Sequence, residues 1–131
     1  MILLDTSVLI DIDHVELPDD AIALSALSAA ELHFGIERAS TMDLRRRRIA
    51  HLSRLTRVLD IAWLPFDETA AIAYGQLAAI VARTRPAHAR GTDLLLAGHA
   101  LALGARLVTL NPKDFELLAD EVEIIVPELR D

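Results

Sequence analysis

Four acidic residues stand where short apolar runs give way to helix starts. Asp5 closes ILLD, Glu31 lies six residues beyond IALS, Asp93 opens the apolar stretch 93–103, and Asp114 follows RLVTLNPK. Each has a purely structural role open to it. Asp5 can cap a helix starting at Ser7 or Val8, and Glu31 can close a capping box with Ser28. Asp93 and Asp114 suit the positive end of a helix dipole. Yet no basic residue lies within four positions of Asp5 or inside the helix that follows Asp93. Carboxylates gathered without a fixed cation repel one another, and a hard divalent ion relieves that repulsion. Mg2+ takes oxygen ligands, keeps several waters and accepts one or two direct carboxylates, and Mn2+ also fits. Such an ion suits phosphodiester hydrolysis, where it activates water and offsets charge on the phosphate oxygens.

The elements that must deliver these acids are legible as periodicities. Residues 2–5 and 22–25 read as short buried strands, the first ending in its acid. Residues 26–38 read as a helix with Leu27, Ala30 and Phe34 on one side and a start near Ser28. Residues 43–59 form an amphipathic pattern in which Ile49, Leu52, Leu55 and Leu59 mark the core face. A strand ending at Pro65, a helix over 68–82 and a buried helix from Thr92 as N-cap to Gly104 follow. RLVTL is a strand, Asn111-Pro112 starts a helix with Asn at the cap, and EIIV over 123–126 is a last strand. Short strands rich in Ile, Leu and Val alternating with helices predict an α/β fold. The expected architecture is three-layered, α/β/α, with a mostly parallel sheet of four or five strands. Ligands of such sheets bind beyond the C-terminal strand ends, where Asp5 falls. Asp5 and Asp93 are expected to meet there.

Composition bounds the rest. A chain of 131 residues, 53% hydrophobic, fits one domain over 1–131 with a real core. The absence of Cys excludes disulfides, thiolate metal sites and a Cys nucleophile. The apolar N-terminus lacks a signal-peptide pattern, no stretch suits a membrane span, and a cytoplasmic protein is expected. The net charge of −7 opposes polyanion binding, but seven of the 13 basic residues lie between Arg38 and Arg57. Arg83, Arg85 and Arg90 form a looser second group. The run Arg45 to Arg48, with Arg54 and Arg57, either holds nucleic acid or merely solvates a helix face. His14, His33, His51, His88 and His99 form no zinc spacing, and His99 reads as a satisfied packing residue. Thr6 and Ser7 lack a companion base and are better placed to hydrogen-bond Asp5 or a phosphate.

Three segments together resemble the PIN-domain ribonucleases, and within them the VapC toxins of type II toxin–antitoxin pairs. ILLDTSVLI is similar to the family's first motif, SALSAAELHFGI to its second with the acid at Glu31, and TDLLLAGHALALGARLVTLNPKDF to its third. In that block Asp93 matches the metal-binding aspartate, and Thr109, Asn111, Asp114 and Phe115 match the closing pattern. The resemblance implies a PIN-like fold and Mg2+- or Mn2+-dependent endoribonuclease activity. It implies a catalytic set of Asp5, Glu31, Asp93 and Asp114, with Asp5 and Asp93 binding metal directly. The family's usual fourth acid falls on neutral Asn111, so Asp114 either substitutes for it or caps a helix. RNA substrate, a cognate antitoxin covering the acids with an Arg or Lys, and a homodimer are the implied partners. Two other readings were weighed. A phosphatase or response-regulator-like domain lacks its paired acids and late Lys, Lys113 being the sole lysine. A catalytically impaired regulatory or protein-binding domain draws its support from Asn111.

Overall fold

The computed structural model describes residues 1–89 and 91–130; Arg90, counted above in the second basic group, lies outside them. Five parallel strands form the central sheet: β1 (Ile2–Leu4), β3 (Ile22–Ser25), β4 (Trp63–Leu64), β5 (Arg106–Val108) and β6 (Ile124–Ile125), in the order β4-β3-β1-β5-β6. The first strand is therefore central, with Leu3 opposite Ala23 on one side and Leu107 on the other. A second sheet, absent from the sequence reading, pairs β2 (Val15–Glu16) antiparallel with β7 (Glu128–Leu129). Two residues per strand are too few to show a period.

The alternation of strand side chains divides the core in two. Leu3, Ala23 and Leu107 face α4 (Glu68–Ala82) and α5 (Thr92–Leu103), together with Phe115 and Leu118 of the 3-10 segment Pro112–Leu118. Ile2, Leu4, Leu24 and Val108 face α1 (Thr6–Ile10) and α3 (Met42–Leu59). α2 (Ala26–Glu37) contributes Leu27 to the first cluster and Leu32 to the second. The three-layer expectation holds. No helix among the described residues is long and apolar enough to cross a membrane.

Several local expectations fail for physical reasons. α2 starts at Ala26, not near Ser28, because Ser25 ends β3 and its hydroxyl accepts from Leu27 N at 3.0 Å. Its inward stripe is Ser28, Leu32 and Ile36, at helical spacing, which turns Phe34 outward to 61% exposure. There the Phe34 ring lies 5.6 Å from the Arg38 guanidinium carbon. α3 meets the core along Leu52, Leu55 and Leu59, leaving Ile49 45% exposed. The N-cap of α5 is Gly91, and Thr92 is already helical. Asn111 precedes a 3-10 segment and makes no side-chain cap. α4 and α5 approach closely at Gly98, where a Cβ would fall 2.7 Å from Tyr74 Cα. Gly104, at φ 65°, ends α5 in the left-handed conformation.

Candidate active site

Asp5 leaves the central strand at its C-terminal end, with its N–H bonded to Val108 O at 2.9 Å. Its Oδ1 caps α1 by accepting from Thr6 N at 2.9 Å. Its Oδ2 accepts from Ser7 Oγ at 2.8 Å and Thr109 Oγ1 at 2.7 Å. Asp5 thus caps α1, which starts at Thr6 rather than at Ser7 or Val8, while its second oxygen belongs to the polar cluster at the strand end. Thr109 follows β5, so two adjacent strand ends hold one carboxylate. Ser7 Oγ in turn accepts from Leu110 N at 3.1 Å, and Thr109 Oγ1 from Asn111 N at 3.0 Å. Ser7 supports Asp5 by its hydroxyl as its position suggests. Thr109, which matches the closing pattern of the third segment, does the same although no hydrogen bond to Asp5 was expected of it.

Glu31 points from α2 toward the same edge, where its Oε1 accepts from Thr6 Oγ1 at 3.0 Å. It makes no capping box with Ser28, whose buried hydroxyl has no partner among the described residues. Burial pushes the Glu31 carboxyl up, the Thr6 bond opposes this, and the Asp5 charge adds to the rise. Asp93, in the first turn of α5, is pushed up to about 6, chiefly by burial and then by the charges of Asp114, Asp5 and Glu31. All four acids predicted from the sequence therefore share one electrostatic neighbourhood. Asp114 acts on Asp93 most strongly of the three, whereas neutral Asn111 donates only its backbone N–H to the network.

The acids sit between two clefts. Asp93 and Asp114 line one of about 360 Å3 with Arg85 and Lys113. Glu31 and Thr6 line another of about 460 Å3 with Ile10, Leu32, Gly35 and Arg48. Among the described residues no three His, Asp or Glu side chains converge as a ready-made metal cage. A hydrated hard cation, which takes one or two carboxylates directly and reaches others through water, does not require such a cage. Asp5 Oδ1, with a single donor, has an acceptor direction to spare.

His99 is buried on α5, with Nδ1 2.9 Å from Ser25 Oγ and its ring edge-on to Phe66. Burial pushes its pKa down against the charge of Asp67. It is the packing residue expected, and it ties the helix carrying Asp93 to the start of the helix carrying Glu31.

A parallel sheet with acids gathered at its C-terminal edge places a charged site where open α/β sheets bind their ligands. The chain belongs to the PIN domain family, whose pattern matches residues 2–121. It is 34% identical over 130 residues to Ribonuclease VapC5 of Mycobacterium tuberculosis, covering 93% of this chain and 92% of that one. The crystal structure of VapBC-5 from the same organism, a member of the VapBC family of toxin–antitoxin systems, superposes with TM-score 0.73 at 32% identity. That match covers 94% of this chain and 95% of the other. VapBC2 from Rickettsia felis, solved bound to a DNA fragment from its promoter, shares the fold at TM-score 0.76 and 22% identity, over 98% and 100% of the two chains.

Proposed function

We propose that the chain is a metal-dependent endoribonuclease, the toxin of a type II toxin–antitoxin pair. The observation that carries this is the gathering of acids at the C-terminal edge of the sheet, with Asp5 held by Ser7 and Thr109, Glu31 held by Thr6, and Asp93 and Asp114 lining one cleft. Such a cluster is costly to keep ionised without a cation. The likeness to a curated ribonuclease over nearly the whole chain supports the nuclease reading, and the likeness to VapBC-5 supports the toxin role.

A bound Mg2+ or Mn2+ would be held by Asp5 and Asp93 and would supply water activation and charge neutralisation. The chain's own groups prepare for it. Thr6, Ser7 and Thr109 fix the Asp5 carboxylate in one orientation, so little reorganisation remains when substrate arrives. Glu31 keeps Oε1 on Thr6 and leaves Oε2 to accept a proton from attacking water. Asp114 occupies the role that Asn111 cannot fill. The nearness of the Asp114 charge to Asp93 favours Asp114 over neutral Asn111 as the fourth acid and so favours the nuclease over the impaired-domain alternative.

An antitoxin would occupy the apolar cleft beside Glu31 and reach the acids with a cation. Exposed Phe34, Met42 and Ile72 leave apolar surface for a second copy of the chain. The test is cleavage of RNA by the purified chain with Mg2+, with EDTA, and with Asp93→Asn. Equal cleavage in all three would end the proposal. Sedimentation with and without the neighbour-encoded protein checks the partners, and a monomer indifferent to that protein would count against both.

A further inference from the structure

The sequence directs attention to the arginine run of α3 as the nucleic-acid surface, and the structure redirects it. Arg45 pairs with Glu37 at 3.0 Å and reaches Ile36 O. Arg48 donates to Gly35 O. Both guanidiniums therefore serve the C-terminal carbonyls of α2, a favoured place for cations. Arg47 pairs with Asp43, and Arg54 with Asp13. Arg57 donates to Ser53 O, so five of the six arginines singled out there are engaged within the protein.

The other side of the acid cluster differs. Arg85, just beyond α4, and Lys113, in the 3-10 segment, line the same cleft as Asp93 and Asp114. Both are exposed, and neither forms an ion pair among the described residues. They come from segments 28 residues apart in sequence, so the fold rather than a charge run places them together. The cleft, at about 360 Å3, admits a single nucleotide-sized group and not the face of a duplex. Its apolar wall includes Leu117, and among the described residues no aromatic side chain lines it.

We propose that this cleft is the subsite for the sugar–phosphate backbone of a single RNA strand next to the cut bond, with Arg85 and Lys113 holding its phosphates. The inference rests on the nuclease reading. Phosphate contacts of this kind fix position and carry no sequence information. The acids Asp93, Asp114 and Glu116 repel a phosphate close to them, so the strand must lie toward the two cations, with the cut bond nearest Asp93.

The test is salt-dependent binding of single-stranded RNA to an Asp5→Asn chain, with and without Arg85→Gln and Lys113→Gln together. A charge-matched control carries Arg46→Gln and Arg57→Gln. Loss of two phosphate contacts should lower the salt slope by about 1.4 for a single strand and weaken affinity on the order of tenfold or more. The control should keep slope and affinity near those of the parent. Binding that is unchanged in the Arg85/Lys113 variant, or equally reduced in the control, overturns the subsite and leaves the nuclease reading intact. An Asp5→Asn chain that binds no RNA overturns that reading and the subsite with it. If the Arg85/Lys113 variant instead loses the antitoxin while keeping RNA, the cleft is a protein surface and the proposal fails.

Discussion

On the Glu31 side of the acid cluster the wall is built from α1, α2 and α3, and its lining is mainly apolar around Ile10, Leu32 and Leu52. Its arginines, Arg47 and Arg48, are held by Asp43 and by the end of α2. On the Asp93 side the wall comes from the ends of α4 and α5 and the 3-10 segment, and its cations Arg85 and Lys113 have no acid partner among the described residues. Different members of one acid cluster thus line a mainly apolar cleft and a cleft whose cations have no acid partner among the described residues. Positive charge that is dense in sequence is spent on helix ends, while sparse positive charge is left available. Counting arginines locates the first kind and not the second.

The sharpest test of that division is Asp93→Asn. RNA cleavage should fall by about 100-fold or more, as expected for losing a site carboxylate. Retained cleavage would move the chemistry away from the Asp93 side. Next in size, Ile10→Glu places a charge at a 57% exposed position on the opposite cleft. It should weaken antitoxin binding by about 30-fold, or roughly 2 kcal/mol, in calorimetry, with RNA cleavage kept. If the antitoxin binds unchanged, the apolar cleft is not its site.

A third effect is pH-dependent. Asp93 has a folded pKa of about 6 against an ordinary 3.8. Between these values the folded chain holds a proton that the unfolded chain has released. Stability of the metal-free protein should therefore be greatest below about pH 4 as far as this group is concerned, and fall as pH rises to 6. Because Asp93 is only half-buried, screening reduces the effect to about 1–2 kcal/mol. Urea unfolding at pH 4 and 6.5, compared with Asp93→Asn, isolates this contribution, and a variant with the same pH profile as the parent would refute it. The smallest effect is that of Arg48→Gln, which should cost about 0.5–1 kcal/mol in thermal unfolding without changing the RNA salt slope. A changed slope would return Arg48 to the nucleic-acid surface.

The acids were legible because a strand end followed by an acid is a local pattern, and three such patterns recur with apolar strands before them. The parallel sheet was legible for the same reason. What the sequence concealed depends on how helices rotate against neighbours. Phe34 and Ile49 satisfy an apolar repeat yet face outward, since Leu32 and Leu52 fill the available core instead. Ser25 preempts Ser28 as a cap because the chain leaves β3 one turn earlier than the capping-box pattern suggests. The use of Arg45 and Arg48 as clasps on α2 involves carbonyls 9 and 13 residues away, and backbone carbonyls carry no sequence signature.

The position of β1 also governs when the acid cluster can assemble during synthesis. Ile2–Leu4 is made before either of its partners but sits in the middle of the sheet, with one neighbour at Ile22–Ser25 and the other at Arg106–Val108. Until the latter is made, one edge of this fully apolar strand has no partner, a state open to chaperones or to mispairing. Asp5 waits just as long for Thr109, and Asp93 and Asp114 also arrive late in the chain. A ribosome adding about 5–20 residues per second would therefore carry a nascent chain without a finished acid cluster until the segment from Arg106 to Asp114 has left it. The order of strands makes the acid cluster one of the last features of this domain to assemble.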